Sequence, residues 1–476
     1  MERFDSDVVV VGAGAAGLAA AVTLGQNGVS TLVVEQRLDP STLPRATIVS
    51  TRAMELLRSW GLEDDVRAGG VDGDAVLWEC ETLARANEGR AYEVGYPTRA
   101  QAAVVSPTAP GLVPQDWLEA VMRRHVHTLA SVDFELGTQL MAIDNRPDCV
   151  VVTLRDRSHR VRTVRTRYVV GADGAYSAVR RMVGISVSGE PDIGLSGIQV
   201  VFRAPLWELL GDLRCVLYSV TNPSAPGIFL PAGATDRWVY GPAAPWDVEH
   251  PPDVDPDRIA ELIRDGVGVA IDVRVERIGP FQSPGELADR FRAGRVFLAG
   301  DAAHRVTPRG GTGMNVAFLS GYDLGWKLAW VLQGWAEPTL LDTYEEERRP
   351  VAEHHVARST DPYGSRRPAV GELAVDLGGR IPHVWLPGFT GRASTLDLLG
   401  PVWTLFTTSV ARGERAASRL RAPVTLRVLD PMTARALGMQ GGDLLVRPDG
   451  VPFSLESVST GVPAVRRVTE YDTAVA

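Results

Sequence analysis

Lysine is almost missing. Lys327 is the only one among the 49 basic residues of this 476-residue chain, and every other base is arginine. The planar arginine fork holds phosphate or carboxylate through two bonds at once, so the chain is well supplied for anionic ligands. Positive charge is nevertheless in deficit. The net charge is -9 and no basic run stands out, which argues against nucleic acid or an anionic membrane as the main partner. Cysteine is scarce too: Cys80, Cys149 and Cys215 lie far apart, with the spacing of neither a zinc site nor a redox dithiol. Residues 8–25 carry no charge, but acidic Asp5 and Asp7 flank them and four glycines interrupt them, unlike a signal peptide or a membrane span. These absences describe a soluble, cytoplasmic protein with no metal centre and no membrane. Hydrophobic content of 45% and charged content of 22% are those of a globular chain long enough for two or three domains.

What is abundant is glycine in particular places. DVVVV at 7–11 reads as a strand buried on both faces of a parallel sheet. Gly12, Gly14 and Gly17 follow in the GxGxxG spacing, then the helical LAAAVTLGQNG, then a second buried strand, STLVVE, ending at Glu35. This is the βαβ context that a dinucleotide fingerprint requires. Gly12 permits the tight turn, Gly14 lets backbone approach a pyrophosphate, and Gly17 lets helix and strand pack closely. The helix start offers unpaired N–H groups and about half a positive charge to the phosphates, and Glu35 can take the ribose hydroxyls. The motif alone leaves NAD and FAD open.

A second glycine-rich turn lies far downstream. Residues 298–315 read LAGDAAHRVTPRGGTGMN: a strand, the pair Gly300-Asp301, a glycine loop containing Gly311, and the start of another helix. One dinucleotide needs one phosphate cradle, so a second helix start serves another part of the ligand. In FAD that part is the isoalloxazine ring, which gains negative charge on reduction, and a helix dipole there favours the reduced anion by about 0.3–2 kcal/mol. NAD makes no such demand. A third strand–turn–helix, YVVGADGAYSAVR at 168–180, carries Asp173 and Arg180. Alone it reads as an aspartate cap; beside the other two it joins the cofactor site.

In order and spacing these three segments resemble the single-component flavin aromatic hydroxylases, of which para-hydroxybenzoate hydroxylase is the type. PRATIVSTRAMELLRSWGL (44–62), VPQDWLEAV (113–121) and YEEERRPVA (344–352) agree with that family. GRIPHVWLPGFTGRASTLDLLGPVWTL (379–405) and the late LLVRPDGVPFSL resemble the subgroup that acts on polycyclic aromatic polyketides. The resemblance covers most of the chain except roughly 185–275. It implies that Gly12, Gly14 and Gly17 lie at the FAD pyrophosphate and Glu35 at the adenosine ribose. Arg45 falls near the pyrophosphate and the incoming nicotinamide cofactor, Gln115 contacts the flavin, and Asp173 and Arg180 touch both FAD and NAD(P)H. Asp301 would bind the ribityl chain, the Pro308 carbonyl would stand beside the reacting edge, and the N–H groups of Met314 and Asn315 would meet the pyrimidine oxygen. Three positions depart from the family: Thr307 for a proline, Ser320-Gly321 for an Asp-Ala pair, and Asp323 for an asparagine.

The implied fold class is α/β. A discontinuous Rossmann-like FAD-binding domain comprises 1–75, 100–185 and 275–390. A substrate-binding β-sheet domain comprises 76–99 and 186–274, built on SGIQVVFRA, RCVLYSV, GIFLPAG and DRWVYGP with DAVLWECETL joining it. PWDVEHPPDVDPD (245–257) reads as a surface linker before the helix RIAELIRDG. Residues 391–476 resemble a thioredoxin-like appendage without cysteines, structural or a dimer contact, in a monomer or homodimer. Phe229, Pro231, Trp238 and Tyr240 either line the substrate pocket or form the core of the sheet. His304 reads as a hydrogen-bonding loop residue or else a base, and His354-His355, being adjacent on a helix, are expected to face apart and bind no metal.

The implied reaction uses NAD(P)H to reduce FAD, with NADPH favoured over NADH by the arginine supply. Oxygen then adds to the reduced flavin, and the resulting hydroperoxide hands OH to a small aromatic substrate. Two alternatives stay open: oxygen insertion of the Baeyer-Villiger type or antibiotic inactivation by the same chemistry, and a non-catalytic flavin-bearing protein that only binds its ligand.

Overall fold

The computed structural model describes residues 4–194, 196–243, 255–387, 393–420 and 422–454. It contains two compact units, Met1–Ala329 with Arg348–Gly378, and Trp330–Glu347 with Gly379–Ala476.

The first unit is built on an eight-stranded sheet. Ser6–Val11 runs parallel between Thr31–Glu35 and Val161–Gly171. Val132–Leu136 continues the sheet beyond Thr31–Glu35, and Val296–Leu298 beyond Val161–Gly171. Val8, Val9 and Val10 are wholly buried, as an all-apolar strand covered on both faces must be. The parallel order brings the C-terminal ends of Ser6–Val11, Val161–Gly171 and Val296–Leu298 side by side, so the three glycine turns emerge at one edge.

The insertion is a seven-stranded sheet in the order Arg274–Phe281, Gly197–Arg203, Arg237–Pro242, Gly227–Pro231, Cys215–Val220, Asp74–Cys80, Arg90–Glu93. All four strands expected from 197–242 are present, and Asp74–Cys80 does join them. The helix Pro256–Val267 follows, capped by Asp255 and buried through Ile259 and Ile263. Most of the expected linker at 245–257 lies outside the described residues, as do 388–392 and everything after 454.

In the second unit Trp403–Thr407 is flanked by parallel Val424–Val428 and antiparallel Leu444–Val446, which pairs in turn with Pro452–Phe453. The core gathers Ile381, Leu396, Phe406, Leu429 and Val446. Arg447, almost fully buried, is held by Glu347 at 2.8 Å and by Asp449. This unit starts at Gly379 and takes in 330–347, whereas the sequence put the border at 391. Residues 379–387 fold with the C-terminal sheet because Ile381 is part of its core.

Candidate active site

The first turn leaves no spare room. Gly12 has a φ of +103°, and a Cβ there would stand 2.3 Å from the carbonyl oxygen of Ala172. A Cβ on Gly17 would stand 1.9 Å from the Gly12 oxygen. Gly14 differs: a Cβ would meet only the Glu119 carboxylate, at 3.8 Å, so its outer side faces open space. Gly14 begins the helix Ala15–Gln26, which has no side-chain cap and no acidic residue in its first turn. Its leading N–H groups therefore have no competing side-chain acceptor, the condition for receiving a phosphate. The Glu35 carboxylate accepts from the Ala13 and Arg37 N–H groups at 3.0 and 2.9 Å, fixing the turn against the end of the second strand.

The Asp-Gly segment packs directly on this turn. Ala172 N–H donates to the Val11 carbonyl at 2.8 Å, and Ala299 N–H to that of Gly171 at 2.9 Å. Ser177 caps the short helix Ala178–Met182, and Asp173 braces that start by accepting from the Ser177 hydroxyl and, at 3.0 Å, from Val179 N–H. Arg180 is buried and donates to the Ala302 carbonyl at 3.0 Å, tying the second segment to the third. Burial lowers its pKa. Asp301 is open to the cleft yet hemmed in by protein. That enclosure pushes its carboxyl above the usual carboxylate range, against the pull of Arg45 and Arg305.

The downstream turn is anchored from behind. The Asn315 side chain accepts from Ser50 N–H at 2.8 Å and donates to the Ile48 carbonyl and the Tyr96 hydroxyl, each at 3.1 Å. Tyr96 in turn donates to the Gly311 carbonyl at 2.9 Å, and burial raises its pKa, so it stays a phenol. Gly311, at φ +64°, donates its N–H to the Pro308 carbonyl at 3.0 Å. The helix Gly313–Leu332 then begins without an acidic residue in its first turn, so the Met314 and Asn315 N–H groups lack intrahelical acceptors. Two cradles, one carboxylate at a strand end and a second at Asp301 match the donor set a dinucleotide with a ring at its far end would need. These residues fit FAD.

The three departures from the family pattern each have a structural account. Thr307 donates its hydroxyl to the Ser359 carbonyl at 2.9 Å and accepts from Arg309 N–H at 3.2 Å, fastening the loop as a ring would. Gly321 lies against the first helix, where a Cβ would come within 2.0 Å of the Ala16 oxygen. Ser320 bonds the His304 ring at 3.3 Å, and Asp323 pairs at 2.8 Å with Lys327, the lone lysine, which is wholly buried.

His304 is 2% exposed and sits behind the turn. Burial, with repulsion from Arg348, pushes its imidazole down to about 3, so it is a neutral hydrogen-bonding residue in the fold. Burial likewise lowers His355. Both stay neutral in the folded chain, while the unfolded chain protonates them below about 6.5. Their contribution is therefore intact above that pH and is lost as pH falls below about 6.5, for His304 down toward about 3. We expect urea-unfolding free energy to drop between pH 7.5 and 5.5 by up to about 1.4 kcal/mol per pH unit for each histidine below 6.5. A flat profile over that window would contradict this placement.

The histidine pair at 354–355 departs from expectation. The rings stand 5.1 Å apart edge to face, and with Glu372 their ligand atoms fall within 4.8 Å of one another. Side-chain length overcomes the divergence of adjacent helical positions. Glu372 is already engaged, accepting from His354 and from buried Arg358, each at 2.9 Å.

The insertion sheet corrects the choice of pocket residues. Phe229, Trp238 and Tyr240 are fully buried in the core under the helix Pro256–Val267, and Pro231 pairs with Trp238 on the same face. Selecting aromatics selected the core face, because side chains alternate along a strand. The opposite face carries Gln199, Val201, Leu217, Leu230, Arg237 and Val239. It looks toward the cofactor segments: Gln199 donates to the Pro44 carbonyl at 3.4 Å, and Arg237 bonds Asp116 at 2.7 Å and the Thr42 carbonyl. Leu217 packs with the cluster containing Ile48, Leu112 and Tyr96.

Sequence reasoning also missed Glu119. It is buried, one helical turn after Gln115, whose amide donates to it at 2.7 Å, and it faces Gly14. Burial raises its pKa, opposed by that amide and then by Arg45 and Arg123. The i, i+4 spacing from Gln115 was the available signal.

The profile of a family described as FAD binding domain matches residues 5–359. The tetracenomycin B2 monooxygenase-dioxygenase of Streptomyces olivaceus is 34% identical over 94% of this chain and 95% of its own length. The aklavinone 12-hydroxylase of Streptomyces purpurascens is 33% identical over 95% of each. Among solved structures, aklavinone-11 hydroxylase in complex with FAD and aklavinone superposes with a TM-score of 0.85 at 30% identity, covering 97% of this chain and 100% of that one. Among the described residues no helix is long and apolar enough to cross a membrane.

Proposed function

The chain belongs to the FAD binding domain family and is an FAD-dependent monooxygenase, and from that premise we propose that it hydroxylates an aromatic, polycyclic polyketide at the expense of NAD(P)H and O2. The observation that carries the substrate reading is the apolar sheet face of Val201, Leu217, Leu230 and Val239, turned toward the segments at 42–48 and 112–116. The relatives named for tetracenomycin, aklavinone and polyketide hydroxylation support it.

In this reading the first turn and its helix hold the FAD pyrophosphate, with Glu35 on the adenosine ribose and Arg45 nearby. Gln115 and Asp301 take the flavin side and ribityl chain. The Met314 and Asn315 N–H groups receive the pyrimidine end, with Gly311 in the same turn and the Pro308 carbonyl at the reacting edge. Asp173 and Arg180 lie where NAD(P)H would approach. Bound FAD supplies the hydride acceptor and the activation of O2. The protein's part is to hold the aromatic ring close, to keep water out with the apolar face, and to aim a helix start at developing negative charge.

The test is turnover under labelled dioxygen with a panel of aromatic polyketides. The product should gain one oxygen atom from O2, with substrate-stimulated NAD(P)H oxidation. No stimulated oxidation and no incorporated oxygen would overturn the reading. The two faces of the sheet should also separate. Val239→Trp should raise KM by roughly tenfold or more, on the order of 1.4 kcal/mol, with FAD content unchanged. Tyr240→Phe should leave KM alone and be neutral or stabilising, because the buried Tyr240 hydroxyl has no hydrogen-bond partner. Equal effects on KM would contradict the assignment of faces.

A further inference from the structure

Behind the downstream turn lies a small pocket that neither FAD nor the aromatic substrate explains. Its walls include Thr312, Arg348, His355, Arg358, Glu372 and Asp376. Three of these present buried polar atoms with no hydrogen-bond partner: both Nε and Nη2 of Arg348, Nδ1 of His355 and Oγ1 of Thr312. Thr312 is 3% exposed and His355 is 8% exposed. A buried donor without an acceptor is costly, and a buried guanidinium edge without one more so.

The charges around the pocket decide what would satisfy these groups. Arg358 is matched by Glu372 at 2.9 Å. Asp376 accepts from Arg52 N–H at 3.0 Å and from Ser50, and burial raises its carboxyl above the usual range. Among the described residues Arg348 has no carboxylate partner, and its Nε and Nη2 form the edge of the fork that grips an acceptor through two parallel N–H groups. A second cation would meet two arginines. A water would accept from the fork but leave its charge unmatched. We propose that this pocket is a binding site for one small monovalent anion of halide size, held by the Arg348 fork with the Thr312 hydroxyl and the His355 ring as further donors. Chloride is the cellular candidate. The site stands independently of the proposed substrate, because Thr312 immediately precedes the helix Gly313–Leu332 but no residue of the apolar sheet face lines the pocket.

The experiment uses the FAD-loaded enzyme exchanged into gluconate at fixed ionic strength. Chloride or bromide should raise Tm saturably, by about 2–4 °C at a hundredfold excess over Kd. Crystals grown in bromide should show one anomalous peak in contact with Nε and Nη2 of Arg348. Arg348→Met should abolish the saturable rise. Absence of the peak in the wild-type crystal, with only water density in the pocket, would overturn the proposal whether or not the variant folds. So would a halide response that is identical in wild type and folded Arg348→Met.

Discussion

Gly14→Val should leave the chain folded and strip it of FAD. Gly14 has φ -82° and ψ -173°, an extended conformation open to any residue. A Cβ there meets nothing nearer than the Glu119 carboxylate at 3.8 Å. The fold therefore has no objection to a side chain. The ligand does, because this is the one glycine of the turn whose free side faces the cleft. FAD affinity should fall by at least about a hundredfold, roughly 2.8 kcal/mol, while the Tm of the FAD-free protein shifts little. Gly17→Ala gives the contrasting result. Its Cβ would overlap the Gly12 oxygen at 1.9 Å, and Val8, Val9 and Val10 of the strand and Leu18, Ala19 and Ala20 of the helix are wholly buried. The turn must move or the helix must lift, costing on the order of 3 kcal/mol or more even without FAD. Differential scanning of the FAD-free proteins and flavin titration separate the two. Equal loss of Tm in both variants would show that Gly14 serves packing alone.

The second large effect concerns the only lysine. Lys327 is 0% exposed, and its ammonium lies 2.8 Å from the Asp323 carboxylate one helical turn earlier. Lys327→Met keeps most of the volume and removes the ammonium from beside the Asp323 carboxylate. Breaking a buried pair from one side costs roughly 3–5 kcal/mol, so the midpoint of urea unfolding should fall markedly. Replacing both, Lys327→Met with Asp323→Leu, should recover most of the loss, since the desolvation of two charges is removed together. If the single variant unfolds within about 0.5 kcal/mol of wild type, the pair is not a structural element.

The glycine turns were the legible part. Gly12, Gly14, Gly17 and Glu35 follow from a local βαβ grammar in which each glycine has a steric reason, and those reasons reappear as Cβ overlaps with Ala172 and Gly12. The second turn was legible because Gly300-Asp301 ends a strand before a helix start, and parallel pairing alone brings it beside the first. The departures at Thr307, Ser320-Gly321 and Asp323 could not be interpreted from the sequence. Their partners, Ser359, His304, Ala16 and Lys327, are set by tertiary packing. Phe229, Pro231, Trp238 and Tyr240 could not be assigned to pocket wall or sheet core for a related reason. The strands 227–231 and 237–242 were recognised, but a strand's alternation has two phases, and only the covering helix Pro256–Val267 determines which is core. Arg348 and His355 were likewise invisible as a site, because the pocket gathers five separate segments of the chain.

The central claim is that two turns nearly 300 residues apart hold opposite ends of one FAD. Titration of FAD into the FAD-free protein, followed by flavin absorbance and calorimetry, tests it in wild type, Gly14→Val and Asp301→Ala. One FAD per chain in wild type, with affinity weakened in both variants, is the expected result. Uptake that is lost in Gly14→Val but untouched in Asp301→Ala would contradict it, as would a wild-type protein that takes up no flavin at all.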